Sequence, residues 1–153
     1  MAPCIFLDVS LSSDPYDLDR FVRAQVADYD QALSELRSGR KRSHWMWYIF
    51  PQLEGLGQSP MSHRYSIKSA AEARAYLDHP VVGPRLRECA AVVNAIVGRS
   101  ALDIFGSPDD MKLRSCSTLF ARVSDDGVFE QLLQKYFNGQ PDGETLRLLD
   151  ART

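Results

Sequence analysis

The chain has 153 residues, of which 44% are hydrophobic and 25% are charged, a composition typical of one globular domain. Its 18 basic and 20 acidic side chains leave a formal charge of −2, which argues against general nucleic-acid binding. No apolar run approaches the roughly 20 residues of a membrane span, and the first residues do not resemble a secretory leader. We therefore expect a cytoplasmic protein that does not bind membranes.

Residues 1–13 are predicted to form an extended or poorly ordered lead-in, with at most a minor strand at residues 5–9. A Ser-Ser-Asp-Pro sequence ends this lead-in and is typical of a helix start. No repeat, low-complexity tract or linker divides the rest of the chain. Residues 14–150 are therefore predicted to form a single multihelical domain.

The first predicted helix begins near Leu18, where apolar residues start to recur at steps of three and four as far as Leu36. The spacing fits one helix, or two helices joined near Ala27. Gly39 is the residue expected to follow the helix end. The next segment, SHWMWYIFPQ at residues 43–52, is so uniformly apolar that periodicity cannot separate a strand from a helical turn, and we favour a helical turn.

A stretch rich in Gly, Pro and Ser follows Pro51, with the sequence QLEGLGQSPMSHRYS. We predict a loop of about fifteen residues, a length that usually indicates function or mobility. This loop is the first place where we expect a site.

Five more helical segments follow, bounded by Pro, Gly, Asn and Asp, at residues 69–77, 84–97, 107–123, 129–137 and 142–150. The fold class is therefore predicted to be all-α, an irregular multihelical domain of six to seven helices. Its core is expected to contain Phe21, Leu33, Trp45, Leu86, Val93, Leu119, Leu132 and Phe137.

The cysteines and histidines do not have the spacing of a disulfide framework or of a metal site. They are Cys4, Cys89, Cys116, His44, His63 and His79. The GxSxG, GxxxxGK[ST] and GxGxxG motifs are absent as well. We expect free thiols, no bound metal and no cofactor.

Four cations within six residues, Arg37, Arg40, Lys41 and Arg42, run directly into His44, Trp45 and Trp47. Cations beside aromatic rings suit a phosphorylated aromatic ligand, because the charge neutralises phosphate while a ring stacks on the base. A lysine at the edge of an apolar wall can also act as a nucleophile or base. The alternative is that the cations are simply solvated and that the aromatic residues are core.

A second polar group is spaced by threes along the helix predicted at residues 107–123, and it consists of Asp109, Lys112, Ser115 and Thr118. Side chains at this spacing share one broad helix face, so they could form a second wall of a site. The alternative is an exposed polar stripe with an Asp109–Lys112 ion pair.

The chain resembles the DUF1810 family, small bacterial and fungal proteins sometimes labelled calpastatin. The matching motifs are DLDRFVRAQ (17–25), GRKRSHWMWYIFPQLEGLG (39–57), EARAYLDHPVVGPRLREC (72–89), IFGSPDDMKLRSCSTLF (104–120) and the closing stretch (136–149). The resemblance implies a multihelical fold and an unassigned activity. The chain departs from the family pattern at Cys116 and Ser117, where a Met-containing SSMTLF-like block is usual, and in its lead-in.

The order of these features is also similar in layout to a multihelical ADP-ribose-processing family that acts on N-glycosidic linkages. That likeness implies that the Lys41 amine attacks an opened sugar aldehyde to form a Schiff base. Lys41 and His44 are then the candidate catalytic residues, with acid and base groups moving the protons.

We expect a pocket protein for a small phosphorylated or nucleotide-like ligand, and hydrolysis of N-glycosidic or ADP-ribose-type linkages is its candidate reaction. The candidate ligand-binding residues are Trp45, Trp47, Gln52, Ser59, Tyr65, His79, Asp109, Lys112, Ser115 and Thr118. The alternative function is a helical protein–protein interaction module without catalysis. Convergence of His44, Gln52, Tyr65 and Lys112 on one concavity favours the pocket, because polar groups buried in a packed domain are hydrogen-bonded or functional.

Overall fold

The structure, a computed structural model, describes residues 14–152. The predicted lead-in, its minor strand and Cys4 lie outside these residues. The described part is helical, with one isolated parallel bridge between Leu53 and Ile67. Its helices are α1 (Asp19–Arg37), α2 (Met46–Ile49), α3 (Pro60–Arg64), α4 (Ala70–Asp78), α5 (Val82–Ala95), α6 (Ala101–Phe105), α7 (Asp109–Val123), α8 (Val128–Phe137) and α9 (Gly143–Ala151).

The all-α class is confirmed, and the apolar stripe before Gly39 is one continuous helix, α1. Gly39 has a φ of +82°, a left-handed conformation that favours glycine and ends the helix. Val26 is one of the apolar residues that recur at this spacing, so the stripe predicts that it is buried. The structure corrects this prediction, because Val26 is exposed whereas Gln25 is buried. The helical step of four from Phe21 reaches Gln25 and then Tyr29, so Gln25 takes the core position.

The helix count rises above the predicted six to seven because α3 and α6 are too short to show an apolar period. Capping signals mark both of them. The Ser59 hydroxyl accepts a hydrogen bond from the Ser62 amide at the start of α3, and Ser100 forms a capping box with Asp103 in α6. The predicted loop after Pro51 therefore contains a helix.

Helix α7 is the centre of the packing, because α4, α6, α8 and α9 all contact it, while α5 packs against α1, α4 and α8. The core set is confirmed, with Phe137 only partly buried at its edge. Val97 is the last residue of the helix predicted at residues 84–97, but it is exposed, because α5 ends at Ala95.

A buried arginine joins the first helix to two later segments. Arg20 donates through Nε to the Arg64 carbonyl and through Nη2 to the Ser66 carbonyl and the Glu72 carboxylate, each at 2.8 Å. Its Nη1 donates to the carbonyls of Tyr16 and Asp17. Because all five N–H donors of a guanidinium are engaged, Arg20 fixes the position of α4 relative to α1.

The predicted loop is closed at its base. Leu53 and Ile67 pair across the isolated bridge, and Arg152 donates to the carbonyls of Glu54 at 2.6 Å and Lys68 at 3.3 Å. The segment between these residues therefore leaves and re-enters the fold at one point, as an Ω-loop does. No helix within residues 14–152 has both the length and the apolar character needed to cross a bilayer.

Candidate ligand-binding site

The carboxylate of Glu35 on α1 shapes the cationic segment that follows the helix. This carboxylate is buried and accepts hydrogen bonds from the Arg42 amide at 2.7 Å and from the amide and hydroxyl of Ser43 at 2.9 and 2.5 Å. It also accepts from Trp45 Nε1 at 3.0 Å and Gln31 Nε2 at 2.8 Å. The chain is thereby turned back onto α1, which buries Trp45 and leaves Arg42 exposed.

The charge on Glu35 is stabilised by neutral donors. Burial by itself raises the pKa of Glu35, but the hydrogen bonds from Ser43, the Arg42 amide and Gln31 outweigh it and lower the pKa to about 2. Glu35 is therefore ionised at neutral pH and acts as a structural anion. The sequence prediction missed it, because its donors are two backbone amides and three neutral side chains that form no motif.

Lys41 points inward from the same segment. Its backbone amide donates to the Ile104 carbonyl at 2.7 Å, which ties the segment to α6. Its Nζ lies 2.9 Å from Asp109 Oδ2, donates to the Ser43 carbonyl at 2.5 Å, and lies 5.1 Å from the centre of the Trp45 ring. The side chain is only 8% exposed, so its charge is compensated by protein groups.

Lys112 approaches the same carboxylate from the next turn of α7. Its Nζ lies 3.4 Å from Asp109 Oδ1 and 5.3 Å from the centre of the Trp47 ring. We call Lys41, Asp109 and Lys112 the Lys–Asp–Lys cluster. Its members are 8%, 18% and 21% exposed, so two ammonium groups share one carboxylate at the edge of solvent. The predicted Asp109–Lys112 ion pair is present.

A narrow cleft opens beside Lys112. Its walls include Trp47, Gln52, Tyr65 and Lys112, and it has room for about one water molecule. Gly57 is packed tightly nearby, since a Cβ there would lie 2.4 Å from Ser62 Oγ. Gln52, Tyr65 and Lys112 therefore line one cleft, as three of the four side chains whose convergence was expected to favour a pocket.

Three other predicted site residues have different surroundings. His44 is exposed and is not among the described residues that line the cleft. Ser59 caps α3 with its hydroxyl. His79 lies between α4 and α5, and its Nδ1 accepts hydrogen bonds from the amides of Val81 at 3.0 Å and Val82 at 3.3 Å.

Ser115 and Thr118 do not belong to an exposed polar stripe, because both are buried. The Ser115 hydroxyl donates to the Met111 carbonyl, and the Thr118 hydroxyl donates to the Arg114 carbonyl. Thr118 also accepts from the Asp142 amide at 2.8 Å, which positions the start of α9. Successive steps of three turn these residues away from Lys112 and into the core.

The cysteines within the described residues are unreactive in character. Cys89 and Cys116 are buried free thiols, and burial raises the pKa of Cys89 to about 12 and that of Cys116 well above its usual range. Within residues 14–152, no group of three or more His, Cys, Asp and Glu side chains could hold a metal ion.

Two buried polar atoms on α7 were not predicted from the sequence. Asp110 Oδ1 and Ser117 Oγ have no hydrogen-bond partner among the residues that the structure describes. Asp110 lies in the first turn of α7, where an acidic side chain interacts favourably with the helix dipole.

Comparison with known proteins identifies the family. No curated protein matches the chain. The crystal structure of the conserved hypothetical protein Rv1873 from Mycobacterium tuberculosis is 55% identical, with a TM-score of 0.88, and the match covers 90% of this chain and 99% of that chain. The model of the family described as protein of unknown function (DUF1810) matches residues 15–149, so the chain belongs to the DUF1810 family.

Proposed function

We propose that this protein binds a small anionic ligand with a flat ring, of the phosphorylated or nucleotide-like kind, at the mouth of the cleft. One observation carries the proposal. Lys41 and Lys112 share the carboxylate of Asp109, and each ammonium lies about 5 Å from a tryptophan ring.

The charge of the cluster supports an anionic ligand. Two ammonium groups with one engaged carboxylate leave a positive charge at a site where water screens it only in part. A phosphate or carboxylate that approaches Lys112 would pair with this charge through hydrogen bonds to its ammonium. The exposed Arg40 and Arg42 on the neighbouring segment add to the attraction for an anion.

The dimensions of the cleft favour binding across its mouth. The interior has room for about one water molecule, so a ring cannot enter it without movement of the walls. Trp47 is half-buried and offers a ring beside Lys112. In the proposed complex the anionic group pairs with Lys112 and the flat ring of the ligand contacts Trp47.

The contacts support binding better than N-glycosidic hydrolysis through Lys41. A Schiff base requires a free amine, whereas Lys41 Nζ already contacts Asp109 Oδ2 and the Ser43 carbonyl. His44 is exposed outside the cleft lining, so it gives no support to an acid or base role there. We therefore assign Lys41 a positioning role in the proposal.

The convergence of Gln52, Tyr65 and Lys112 also favours a ligand-binding protein over a helical interaction module whose aromatic segment is simply core. The free thiols of Cys89 and Cys116 support a cytoplasmic location as part of the same proposal.

A thermal-shift screen against nucleoside monophosphates, sugar phosphates and inorganic phosphate tests the proposal. A ligand at 100 times its Kd adds about 2.7 kcal/mol of stability. For a domain of this size that is a rise in Tm of roughly 5–10 °C. The response should disappear in Lys112→Met, which keeps most of the side-chain volume and removes the charge.

Lys68→Met is the matched control, because Lys68 is an exposed lysine that does not line the cleft. We expect it to respond like the wild type. Lys41→Met should remain folded and lose the response, since the Asp109 carboxylate then pairs with Lys112 alone and the site loses its excess positive charge. A ligand that stabilises wild type and Lys112→Met equally would contradict the proposed site.

A further inference from the structure

A second recess is lined by residues none of which line the cleft. This groove, of about 720 Å³, runs between the start of α1, the end of α3 and the start of α4. Its lining includes Arg20 and Glu72 on the floor and Arg23, His63, Arg64 and Lys68 around them. We call it the basic groove.

The basic groove carries a local positive charge on a protein whose formal charge is −2. Arg20 and Glu72 neutralise one another through their 2.8 Å ion pair. Among the described lining residues, Asp17 is then the one remaining acid, against Arg23, Arg64 and Lys68. The lining residues of the groove therefore carry more positive than negative charge, and the carboxylates of Asp19 and Glu54 lie beside Arg23 and Lys68 at its edge.

The remaining cations are available to a partner. Arg23 lies 3.5 Å from Asp19 and Lys68 lies 3.9 Å from Glu54, but these side chains are about half exposed, and such pairs contribute little. Arg64 is exposed and forms no ion pair within residues 14–152, its guanidinium lying 5.6 Å from the Tyr65 ring.

The floor is rigid, and it does not supply a phosphate site. All five donors of Arg20 are committed to protein oxygens, so the buried guanidinium offers no fork for a phosphate. The other cations of the groove are instead long, flexible side chains that come from different segments, Arg23 from α1, Arg64 from the end of α3 and Lys68 from the stretch before α4. This arrangement suits several separate negative charges better than one compact anion.

We propose that the basic groove binds an extended acidic peptide segment of a partner protein. The carboxylates of the peptide pair with Arg23, Arg64 and Lys68 along the groove. Because Arg20 holds these segments in place before binding, little free energy is lost in ordering the groove. The interaction is electrostatic in character and weakens as ionic strength rises.

Fluorescence anisotropy with a labelled hexaglutamate peptide at low ionic strength tests this proposal. Arg64→Glu should weaken binding by about tenfold or more, because the introduced carboxylate repels the carboxylates of the peptide. Its matched control is Arg74→Glu, the same charge change on an exposed α4 residue outside the groove lining, which should stay within about twofold of the wild type. Lys68→Met removes one positive charge without introducing a negative one, and it should also weaken binding of the peptide.

The proposal fails if the wild type does not bind the peptide, or if Arg64→Glu and Arg74→Glu lose affinity equally. It also fails if inorganic phosphate displaces the peptide at an equal concentration, because the groove is then a phosphate site. Lys112→Met should bind the peptide normally, since Lys112 does not line the groove. The peptide and small-ligand experiments therefore succeed or fail separately.

Discussion

Two carboxylates on either side of the cationic segment illustrate two ways of placing a negative charge. Glu35 is 3% exposed and accepts hydrogen bonds from neutral donors, including backbone amides and the Trp45 indole. Asp109 is 18% exposed and contacts two ammonium groups, those of Lys41 and Lys112. The first anion is surrounded by protein, and the second lies beside solvent.

The difference separates a structural anion from one that a ligand can influence. Donors that belong to the backbone cannot leave Glu35 without unfolding the turn, so its contacts stabilise the fold. The ammonium of Lys112 can turn toward a second anion while Lys41 stays paired with Asp109. We therefore expect that replacing Glu35 lowers the stability of the fold, whereas replacing Lys112 removes ligand binding.

Glu35→Gln should have the largest effect on stability. The amide group keeps the size of the carboxylate but loses its charge. Whichever oxygen is replaced, the new NH2 group faces a donor, which is Gln31 Nε2 at one position and the amides of Arg42 and Ser43 at the other. We expect a loss of about 3 kcal/mol in the free energy of unfolding, measured by urea denaturation. Glu130→Gln, at an exposed position, is the control and should change stability by less than about 0.5 kcal/mol.

The effect of Glu35 should depend on pH in a defined direction. Its pKa is lowered from 4.5 to about 2 in the folded protein, so the ionised form contributes stability at pH values above about 5. That contribution is lost as pH falls from about 5 to about 2. The difference in unfolding free energy between wild type and Glu35→Gln should therefore shrink from about 3 kcal/mol to under about 1 kcal/mol. A difference that stays constant over this range would show that Glu35 acts through shape alone.

The sequence predicted the regular part of the fold and the general region of the site. Apolar spacing predicts α1 because Phe21, Leu33 and Leu36 recur on one face, and the same reasoning applies to α5, α8 and α9. The helix α7 is predicted instead from the Ser-Pro-Asp-Asp sequence at its start. It fails for α3 and α6, which have only five residues each and are recognisable only by the caps Ser59 and Ser100.

The geometry of the site depends on contacts that sequence spacing does not reveal. Lys41 and Asp109 are 68 positions apart along the chain and meet because α6 and α7 return to the turn after α1. Arg20 and Glu72, the floor of the basic groove, are likewise distant in sequence and carry no motif. Side-chain types identified Lys112 and Trp47 as candidates, but only tertiary packing shows that they meet in the cleft.

Asp109→Asn tests the second carboxylate, and we expect it to lower the free energy of unfolding by about 1–2 kcal/mol. The amide leaves the nearly buried Lys41 ammonium without a carboxylate, although the Ser43 carbonyl still accepts from it. If this unpaired charge is the cause, the double variant Lys41→Met with Asp109→Asn should be more stable than Asp109→Asn alone in thermal unfolding. A double variant that shows simple additivity would contradict direct coupling of the two residues.

The smallest effect on stability is expected for Lys112→Met, whose free energy of unfolding should lie within about 0.5 kcal/mol of the wild-type value. Lys112 is partly exposed, its 3.4 Å contact with Asp109 is long, and the methionine side chain can still pack beside Trp47. Urea denaturation of Lys112→Met and Glu35→Gln under the same conditions measures the contrast directly. A loss in Lys112→Met as large as in Glu35→Gln would place Lys112 among the residues that hold the fold together. The two anions would then belong to one structural network, and a ligand could not compete for Lys112 without destabilising the protein.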